Sequence, residues 1–401
     1  MTSEWNHFAL GEITELVIDY RGKTPKKLGG DWCKQGYRAL SAKNIKTGRI
    51  VQAETIRYID ESLYRKWMKD EVQRGDILIT SEAPFGQIFF WDSDEKIVLS
   101  QRLFCVRIKP EYDARFIYYY MTTPEFQSEL DGRATGTTVI GLRQPELMKC
   151  VIRCPEIQEQ KVIAAILSSI DAKIIANEKV NDNLEQQAQS YFQELFVDNA
   201  DPEWAIGTIS NLGTVVGGST PSKAKPEYYT ESGIAWITPK DLSINKSKFV
   251  SHGENDITEL GLRNSSAAIM PEGTVLFSSR APIGYIAIAA GEVTTNQGFK
   301  SVVPKPEIGT PFVYFFLKNT LPVIEGMASG STFKEVSGST MKNVPAVIPD
   351  AETLAKFSDF CAPIFAQQRT LEEQNQSLAK LRDSLLPKLM SGEIDVSAVQ
   401  L

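Results

Sequence analysis

The chain has 401 residues, enough for two or three domains, and its content of 42% hydrophobic and 23% charged residues is typical of a soluble globular protein. No apolar run reaches the roughly 18 residues of a membrane span, and the first residues lack the apolar core of a signal peptide. The five scattered cysteines argue against a disulfide framework, so we expect a cytoplasmic location.

The formal net charge of −7 is confined to two segments of the chain. Residues 156–197 carry a net charge of −4 and residues 350–401 carry −3, so the remainder is balanced. Within that remainder, residues 21–50 hold nine basic side chains and one acidic side chain. A local basic surface is what phosphate binding requires, although a solvated loop would have the same composition. The acidic net charge therefore does not exclude a nucleic-acid partner.

Residues 1–155 have the pattern of a mixed α/β domain. Short runs rich in β-branched and aromatic residues, such as ILIT, IFFW and LFCVRI, alternate with Gly and Pro turns, which predicts short strands. The stretch 113–121 predicts a short helix, and its aromatic side chains are better explained as core than as a base-stacking platform.

Residues 156–197 predict one long helix, because they contain neither Gly nor Pro and their apolar and small side chains recur at alternating steps of four and three. A seam of this kind over about four heptads is typical of a coiled coil. Its positions are Ile170, Ile174, Asn177, Asn181, Leu184, Ala188, Tyr191 and Leu195. The corresponding positions of the helical segment 350–401 are Ile364, Gln368, Leu371, Asn375, Leu378, Arg382, Leu385 and Leu389. Asn181 and Asn375 occupy equivalent positions, where a buried Asn would fix the helix register and a solvated Asn would not.

Residues 198–349 repeat the first domain at a spacing of about 194–198 residues. GDILITSEAPFGQI matches GTVLFSSRAPIGYI, and LSQRLFCVRIKP matches TNQGFKSVVPKP. Three further pairs of segments match, and all five pairs occur in the same order in the two copies. The three pairs are KTPKK with STPSK, TGTTVIGL with SGSTFKEV, and LMKCVIRCP with TMKNVPAVIP. A second short helix is predicted at 311–318. Five ordered matches indicate two copies of one fold.

The connectivity predicts an α+β fold in which two repeated α/β domains are separated by an antiparallel two-helix coiled-coil spacer with pseudo-two-fold symmetry. A helix of about 40 residues spans roughly 60 Å, and the second helix can meet its seam partner only by running back antiparallel. We therefore expect a domain at 1–155, a spacer helix at 156–197, a domain at 198–349, and a spacer helix with a tail at 350–401.

No sequence pattern predicts catalysis by this chain. The two histidines, His7 and His252, are remote from any metal-ligand spacing, and Cys150 and Cys154 have no second cysteine pair. There is no phosphate-binding loop, no dinucleotide-binding glycine motif and neither of the motifs that a DNA methyltransferase needs. We therefore predict no catalytic residue, no metal site and no cofactor in this chain.

The remaining chemical signal is a set of polar loops that occur in both copies. Hydroxyl groups, backbone amides and cations position DNA phosphates, while Arg reads guanine and Asn or Gln reads adenine. Each residue is individually explained as well by a surface or structural role. In the first copy the candidate DNA-binding residues are Lys23, Thr24, Lys26, Lys43, Asn44, Ser81, Gln101, Arg102, Arg133, Thr137, Thr138 and Arg143. In the second copy they are Thr220, Lys223, Lys240, Ser279, Arg280, Asn296, Gln297, Ser331, Thr332 and Lys334.

Several motifs are shared with a known family. They are the duplicated GKTP and GSTP openings, the two S-x-A-P-x-G blocks, the T/S-G-[ST]-T loops, the junction PEIQEQKVIAAILSSIDAKI and the closing LRDSLLPKLMSGEID. In these motifs, over nearly its whole length, the chain resembles the specificity subunits of type I restriction–modification systems. The second copy departs at its junction, where PDAETLAKF lacks the Glu159–Gln160 pair, which weakens a specific role for those two residues.

The resemblance implies a subunit that reads a split DNA target, one half with each domain, and that binds two modification subunits. It also implies recruitment of restriction subunits, with S-adenosylmethionine, ATP and Mg²⁺ held by the partners and not by this chain. The acidic helices are either docking faces for these partners or solvated surfaces.

Three alternatives stay open. The first is the specificity subunit of a related two-subunit modification enzyme, which would differ in its partners. The second is a stand-alone DNA methyltransferase, which the missing motifs disfavour. The third is a coiled-coil adaptor that does not bind DNA, for which the paired polar loops would have no purpose.

Overall fold

The computed structural model describes residues 5–136, 140–330 and 334–399. The chain forms two compact units. The first unit comprises Met1–Lys173 together with Leu378–Leu401, and the second unit comprises Ile174–Ser377. Each unit therefore contains one copy of the repeat and part of each long helix.

The first unit is built on short sheets. Its four-stranded antiparallel sheet has the order Thr14–Asp19, Leu103–Ile108, Ile77–Thr80, Ile88–Phe90. A three-stranded sheet has the order Arg57–Ile59, Tyr37–Leu40, Val98–Leu99, and two antiparallel pairs join Asn6–Ala9 to Val151–Cys154 and Ile45–Lys46 to Arg49–Ile50. The helices are Leu10–Ile13, Glu61–Trp67, Ala114–Met121, Pro124–Arg133 and Gln144–Leu147, with 3-10 turns at Lys26–Leu28, Ala42–Asn44 and Ala53–Thr55.

Alternation along the strands explains how this four-stranded sheet is buried on both faces. Because successive side chains point to opposite faces, Ile77 and Ile79 join a core with Phe116, whereas Leu78 joins a second core with Trp67. All four residues of the ILIT run are buried, and the first three are apolar, as expected for a strand covered on both sides.

The second unit repeats this plan. Its five-stranded sheet has the order Gly213–Gly217, Lys300–Pro304, Val275–Ser279, Ile283–Ala289, Phe249–Val250. A four-stranded sheet has the order Tyr229–Thr230, Asn255–Ile257, Ile234–Ile237, Thr294–Thr295, and Ala205–Thr208 pairs with Pro345–Ile348. The helices are Ile209–Leu212, Pro239–Ile244, Glu259–Arg263, Thr310–Met327 and Gly338–Lys342, with a 3-10 turn at Pro226–Tyr228.

The two copies share individual backbone hydrogen bonds. The Ser81 amide donates to the Arg102 carbonyl (2.9 Å), as the Ser279 amide does to the Gly298 carbonyl (2.7 Å). Similarly, the Leu142 amide donates to the Ser81 carbonyl, and the Val336 amide donates to the Ser279 carbonyl, both at 3.0 Å. The sequence repeat is therefore a repeat of one backbone.

The helix that contains the aromatic residues differs in length between the two copies. In the first copy it ends at Met121, because the Thr123 hydroxyl accepts from the Phe126 amide and caps a separate helix. In the second copy a single helix runs over Thr310–Met327 with Pro322 inside it. The sequence predicted only its first half.

The two long helices span Ile157–Gln193, followed by one π-helical turn, Glu194–Asp198, and Ala351–Met390. The second helix is continuous across Pro363. In the first unit, the ends of both helices join the core that contains Leu10 and Phe116. The helical and tail residues in that core include Ile163, Leu167, Leu389, Met390 and Val396.

In the second unit the helices pair antiparallel along the predicted seam. Asn177 donates to Asn375 at 2.8 Å, the Gln368 side chain donates to the Asn181 carbonyl at 3.2 Å, and the Phe192 and Phe357 rings lie 5.8 Å apart. The residue numbers in these contacts rise along the first helix and fall along the second, so the two helices run antiparallel. The partner of Asn375 is consequently Asn177 and not Asn181, because equivalent positions of two copies do not face each other in this register.

Candidate nucleic-acid interface

The second unit contains a cleft of about 660 Å³. It lies beside two parallel strands, Ile234–Ile237 and Thr294–Thr295. Because the strands run in the same direction, the residues that follow them lie next to each other at one end of the sheet. Six of the ten candidate residues in the second copy line this cleft. They are Thr220, Lys223, Lys240, Arg280, Asn296 and Gln297.

A capping box shapes one wall of the cleft. Thr238 caps the helix Pro239–Ile244, and the Asp241 carboxylate accepts from the Thr238 amide (2.7 Å) and hydroxyl (2.6 Å). This places Lys240 in the first helical turn, exposed, with its ammonium 2.5 Å from the Glu254 carboxylate. The hydrogen bond to Glu254 raises the pKa of Lys240, so this side chain is a cation at neutral pH.

The opposite wall carries Arg280, which is partly exposed. Its guanidinium lies 3.5 Å from the Glu335 carboxylate, which the Lys300 ammonium also approaches at 3.7 Å. Lys334, beside Glu335, is exposed. Two cations thus share one carboxylate next to the cleft, and Arg280 keeps donors available because a guanidinium has five of them.

Other candidates of the second copy lie elsewhere. Ser279 is fully buried and its hydroxyl donates to the Gly298 carbonyl at 3.1 Å, so it is enclosed by the domain. Ser331 and Thr332 lie outside the described residues.

In the first unit several candidates are engaged within the protein. The Lys23 ammonium donates to the Trp67 carbonyl at 2.5 Å and lies 3.7 Å from the Tyr20 ring centroid. Asn44 is 1% exposed, and its side-chain amide accepts from the Ser41 hydroxyl and donates to the Gln52 carbonyl. Ser81 is also buried. Asn44 and Ser81, like Ser279, are therefore enclosed in the protein interior.

The other candidates that the structure describes in the first unit are exposed or half-buried. Arg102 is 3.0 Å from Glu82, and Gln101 beside it is exposed. Arg133 pairs with Glu129 at 2.9 Å, whereas Arg143 is exposed at the start of helix Gln144–Leu147. The Thr24 hydroxyl accepts weakly from the Lys27 amide, at 3.3 Å. Thr137 and Thr138 fall outside the part of the chain that the structure describes.

The basic cluster at 21–50 divides into two groups. Arg21 and Arg38 form ion pairs, and Lys23 and Lys27 donate to backbone carbonyls. The other five are exposed and have no ion-pair partner among the described residues: Lys26, Lys34, Lys43, Lys46 and Arg49. These five remain available for phosphate groups.

Two cleft residues, Tyr229 and Trp236, were missed by the sequence reasoning. The Trp236 indole donates to the Ser219 carbonyl at 3.0 Å and the Tyr229 hydroxyl donates to the Pro221 carbonyl at 2.6 Å, so both hold the STP segment against the cleft. The repeat gives no signal for Trp236, because Ala39 stands at its position in the first copy.

The helix junction contains a buried glutamine. Gln160, 2% exposed, accepts from the Asp113 amide at 3.0 Å and donates to the Pro155 carbonyl at 2.8 Å. The PEIQEQ motif thus fixes how the first long helix leaves its domain. Within the described ranges, no group of three or more His, Cys, Asp or Glu side chains could hold a metal ion, and no helix is long and apolar enough to cross a membrane.

Comparison with known proteins decides the family. The sequence profile described as "Type I restriction modification DNA specificity domain" matches twice, at residues 2–186 and 202–380. The chain belongs to this family. The resemblance seen in the sequence motifs is therefore confirmed, and with it the function of DNA sequence recognition in a type I restriction–modification system.

Individual relatives agree with this family. The type I restriction enzyme MjaIX specificity subunit of Methanocaldococcus jannaschii is 36% identical over 48% of this chain and 45% of its own length. The HindI specificity subunit of Haemophilus influenzae is 22% identical over 81% of this chain and 88% of its own length. A crystal structure of the S subunit from M. genitalium covers 96% of both chains with a TM-score of 0.59 at 18% identity, which supports the predicted fold class of repeated α/β domains and long helices.

Proposed function

We propose that each unit reads one half of a gapped DNA target and that the chain itself is not catalytic. The observation that carries this proposal is the cleft of the second unit, which gathers six polar or cationic side chains at one edge of a domain that occurs twice. Two similar domains that enter major grooves on one face of B-DNA would contact sites about one helical turn apart, roughly 34–36 Å. We therefore expect two short half-sites separated by several unspecified base pairs.

Methyltransferase and restriction subunits are the partners that we propose for this chain, in the cytoplasm. The long helices display apolar side chains to solvent, among them Ile175, Val180, Phe360 and Leu381, each between 39% and 48% exposed. Exposed apolar side chains of this kind would be buried in a docking face for these partners. S-adenosylmethionine, ATP and Mg²⁺ would belong to these partners.

A segment swap tests the assignment of one domain to one half-site. Residues 211–345 are replaced by the corresponding segment of another family member, and methylated bases are mapped in cells that lack other modification enzymes. We expect one half-site to change while the other half-site and the gap persist. A continuous target, or a swap that alters both half-sites, would contradict the proposal.

The absence of catalysis has its own test. The purified chain alone is incubated with DNA and S-adenosylmethionine, and we expect neither methyl transfer nor cleavage, with weak DNA binding because the net charge is −7. Robust methyl transfer by the chain alone would show that it is an enzyme. Co-purification from the host separates a restriction complex from a two-subunit modification enzyme.

A further inference from the structure

The turn that follows strand Thr294–Thr295 presents two side-chain amides at the cleft. The Asn296 Oδ1 atom accepts from the Gly298 amide at 2.8 Å, which leaves its NH₂ group as the outward donor. The Gln297 Oε1 atom accepts from the Thr220 hydroxyl, which again leaves the NH₂ group. Neither amide nitrogen has a hydrogen-bond partner within the residues that the structure describes.

A glycine brings Thr220 to this turn. A Cβ atom at Gly218 would lie 2.0 Å from the Asn296 carbonyl oxygen and 2.4 Å from the Thr295 carbonyl oxygen, so only glycine permits the approach. The Ser219 amide then donates to the Thr295 carbonyl at 2.8 Å. The GGSTP segment therefore lies directly against the turn.

The first unit lacks this arrangement at the equivalent positions. Gly22, which corresponds to Gly218, has no atom within 4 Å of its added Cβ, and the Thr24 hydroxyl accepts from the Lys27 amide of its own turn. Glu82 stands where the second copy has Arg280. The contact between the threonine and the glutamine is thus a property of the second copy.

The two carboxylates of the cleft lining, Asp241 and Glu254, are already engaged within the protein. Asp241 accepts from the Thr238 amide and hydroxyl and from the Glu254 amide, and the Glu254 carboxylate is paired with Lys240. Apart from the Asn255 side chain, the cleft therefore offers a ligand mainly donors, which are the amides of Asn296 and Gln297 and the Arg280 guanidinium.

We propose that this cleft reads the major-groove edge of a guanine in the second half-site through Arg280, Asn296 and Gln297. Guanine presents two acceptors there, N7 and O6, whereas thymine presents one acceptor, O4, beside its methyl group. Adenine and cytosine place their amino groups, N6 and N4, against the donors. Thr220 is a positioning residue, because its hydroxyl donates to the side-chain oxygen Oε1 of Gln297 and so leaves the NH₂ group of that side chain facing outward. This inference rests on the proposed function and adds the base that one domain recognises.

The test uses the full chain assembled with its methyltransferase subunits and duplexes of the mapped target. Each guanine of the second half-site is replaced in turn by 7-deazaguanine, which lacks the N7 acceptor. We expect one replacement to weaken binding about 5- to 100-fold, the range for one good base contact. In the Gln297→Ala and Arg280→Ala complexes the same replacement should cause a smaller further loss.

Thr220→Val removes the positioning hydroxyl at nearly constant volume, and Thr220→Ser restores it. We expect the valine variant to methylate sites with other bases at the guanine position, the serine variant to regain discrimination, and Thr24→Val to leave this position unchanged. Unaltered methylation of the first half-site reports folding and assembly in the variants of the second unit, and unaltered methylation of the second half-site does so in Thr24→Val.

The outcomes separate this inference from the proposed function. A second half-site without guanine on either strand, or equal tolerance of 7-deazaguanine at every position, overturns guanine reading and leaves bipartite recognition intact. A segment swap that changes both half-sites overturns the proposed function itself. Discrimination retained in Thr220→Val overturns the positioning role.

Discussion

A buried ion cluster in the second unit ties the recognition domain to both long helices. Glu185 on the first helix lies 2.8 Å from the Lys248 ammonium and 2.5 Å from the Lys318 ammonium. Lys248 is 7% exposed and also donates to Gln368 on the second helix at 2.9 Å. Glu185→Gln keeps the shape of this side chain and removes its charge, so we expect it to loosen the domain from the helices.

The magnitude follows from distance and burial. Two unit charges at 2.8 Å attract by about 6 kcal/mol at an effective dielectric constant of about 20, and removing one partner of a buried pair costs about 3–5 kcal/mol. Burial lowers the pKa of Lys248 to about 8 despite its carboxylate partner. At neutral pH the lysine of the variant can therefore release its proton, which limits the loss to the lower end, about 3 kcal/mol.

Amide hydrogen exchange in the full chain measures this loss at the level of single segments. We expect the opening free energy of Thr310–Met327, the helix that carries Lys318, to fall by about 3 kcal/mol, while that of Ala114–Met121 in the first unit is unchanged. Glu178→Gln is the matched control, because Glu178 is exposed on the same helix. A loss below about 1 kcal/mol, or an equal loss in the control, would refute this account of the cluster.

Three further predictions concern other contacts. Because the pKa of Lys248 is about 8 in the folded chain and 10.5 is its ordinary value, the unfolded chain binds the extra proton between these pH values. The contribution of Lys248 to stability should therefore rise with pH there by at most about 3 kcal/mol. In a pH series of urea unfolding, the stability of Lys248→Met relative to the unsubstituted chain should fall by that amount over the same pH range. Asn375→Leu should cost about 1–3 kcal/mol, because it leaves the buried Asn177 amide with only its 3.5 Å contact to Gln374. Combining it with Asn177→Leu should recover most of that loss in the same assay. Arg280→Ala should relax only the half-site read by the second unit and Arg102→Ala only the other, as scored by methylation mapping; equal effects on both half-sites would instead indicate a defect of folding or assembly.

Local patterns were sufficient for much of the fold. The repeat predicted two copies of one backbone, and the shared hydrogen bonds of Ser81 and Ser279 bear this out. The four-and-three spacing predicted the long helices, and the connectivity predicted their antiparallel pairing, which the contact between Asn177 and Asn375 shows in the second unit. Such features depend on residues that are close in sequence, or on matches between blocks, and both are visible in a single chain.

The candidate site was less predictable, because burial and long-range contact decide it. Nothing in sequence separates the buried Asn44 and Ser279 from the solvent-facing Asn296, since all three are polar residues beside turns. The contact between Thr220 and Gln297 spans 77 positions and depends on the absence of a side chain at Gly218. Sequence spacing carries no information on either point.

The core of the first unit includes Leu389, Met390 and Val396 beside Leu10 and Phe116. During synthesis the N-terminal part of that core leaves the ribosome first but stays open until the last residues of the chain follow. The second unit is one continuous stretch, Ile174–Ser377, and is complete earlier. Folding is therefore expected to finish in the reverse order of translation, and loss of Leu378–Leu401 would destabilise the first unit and not the second.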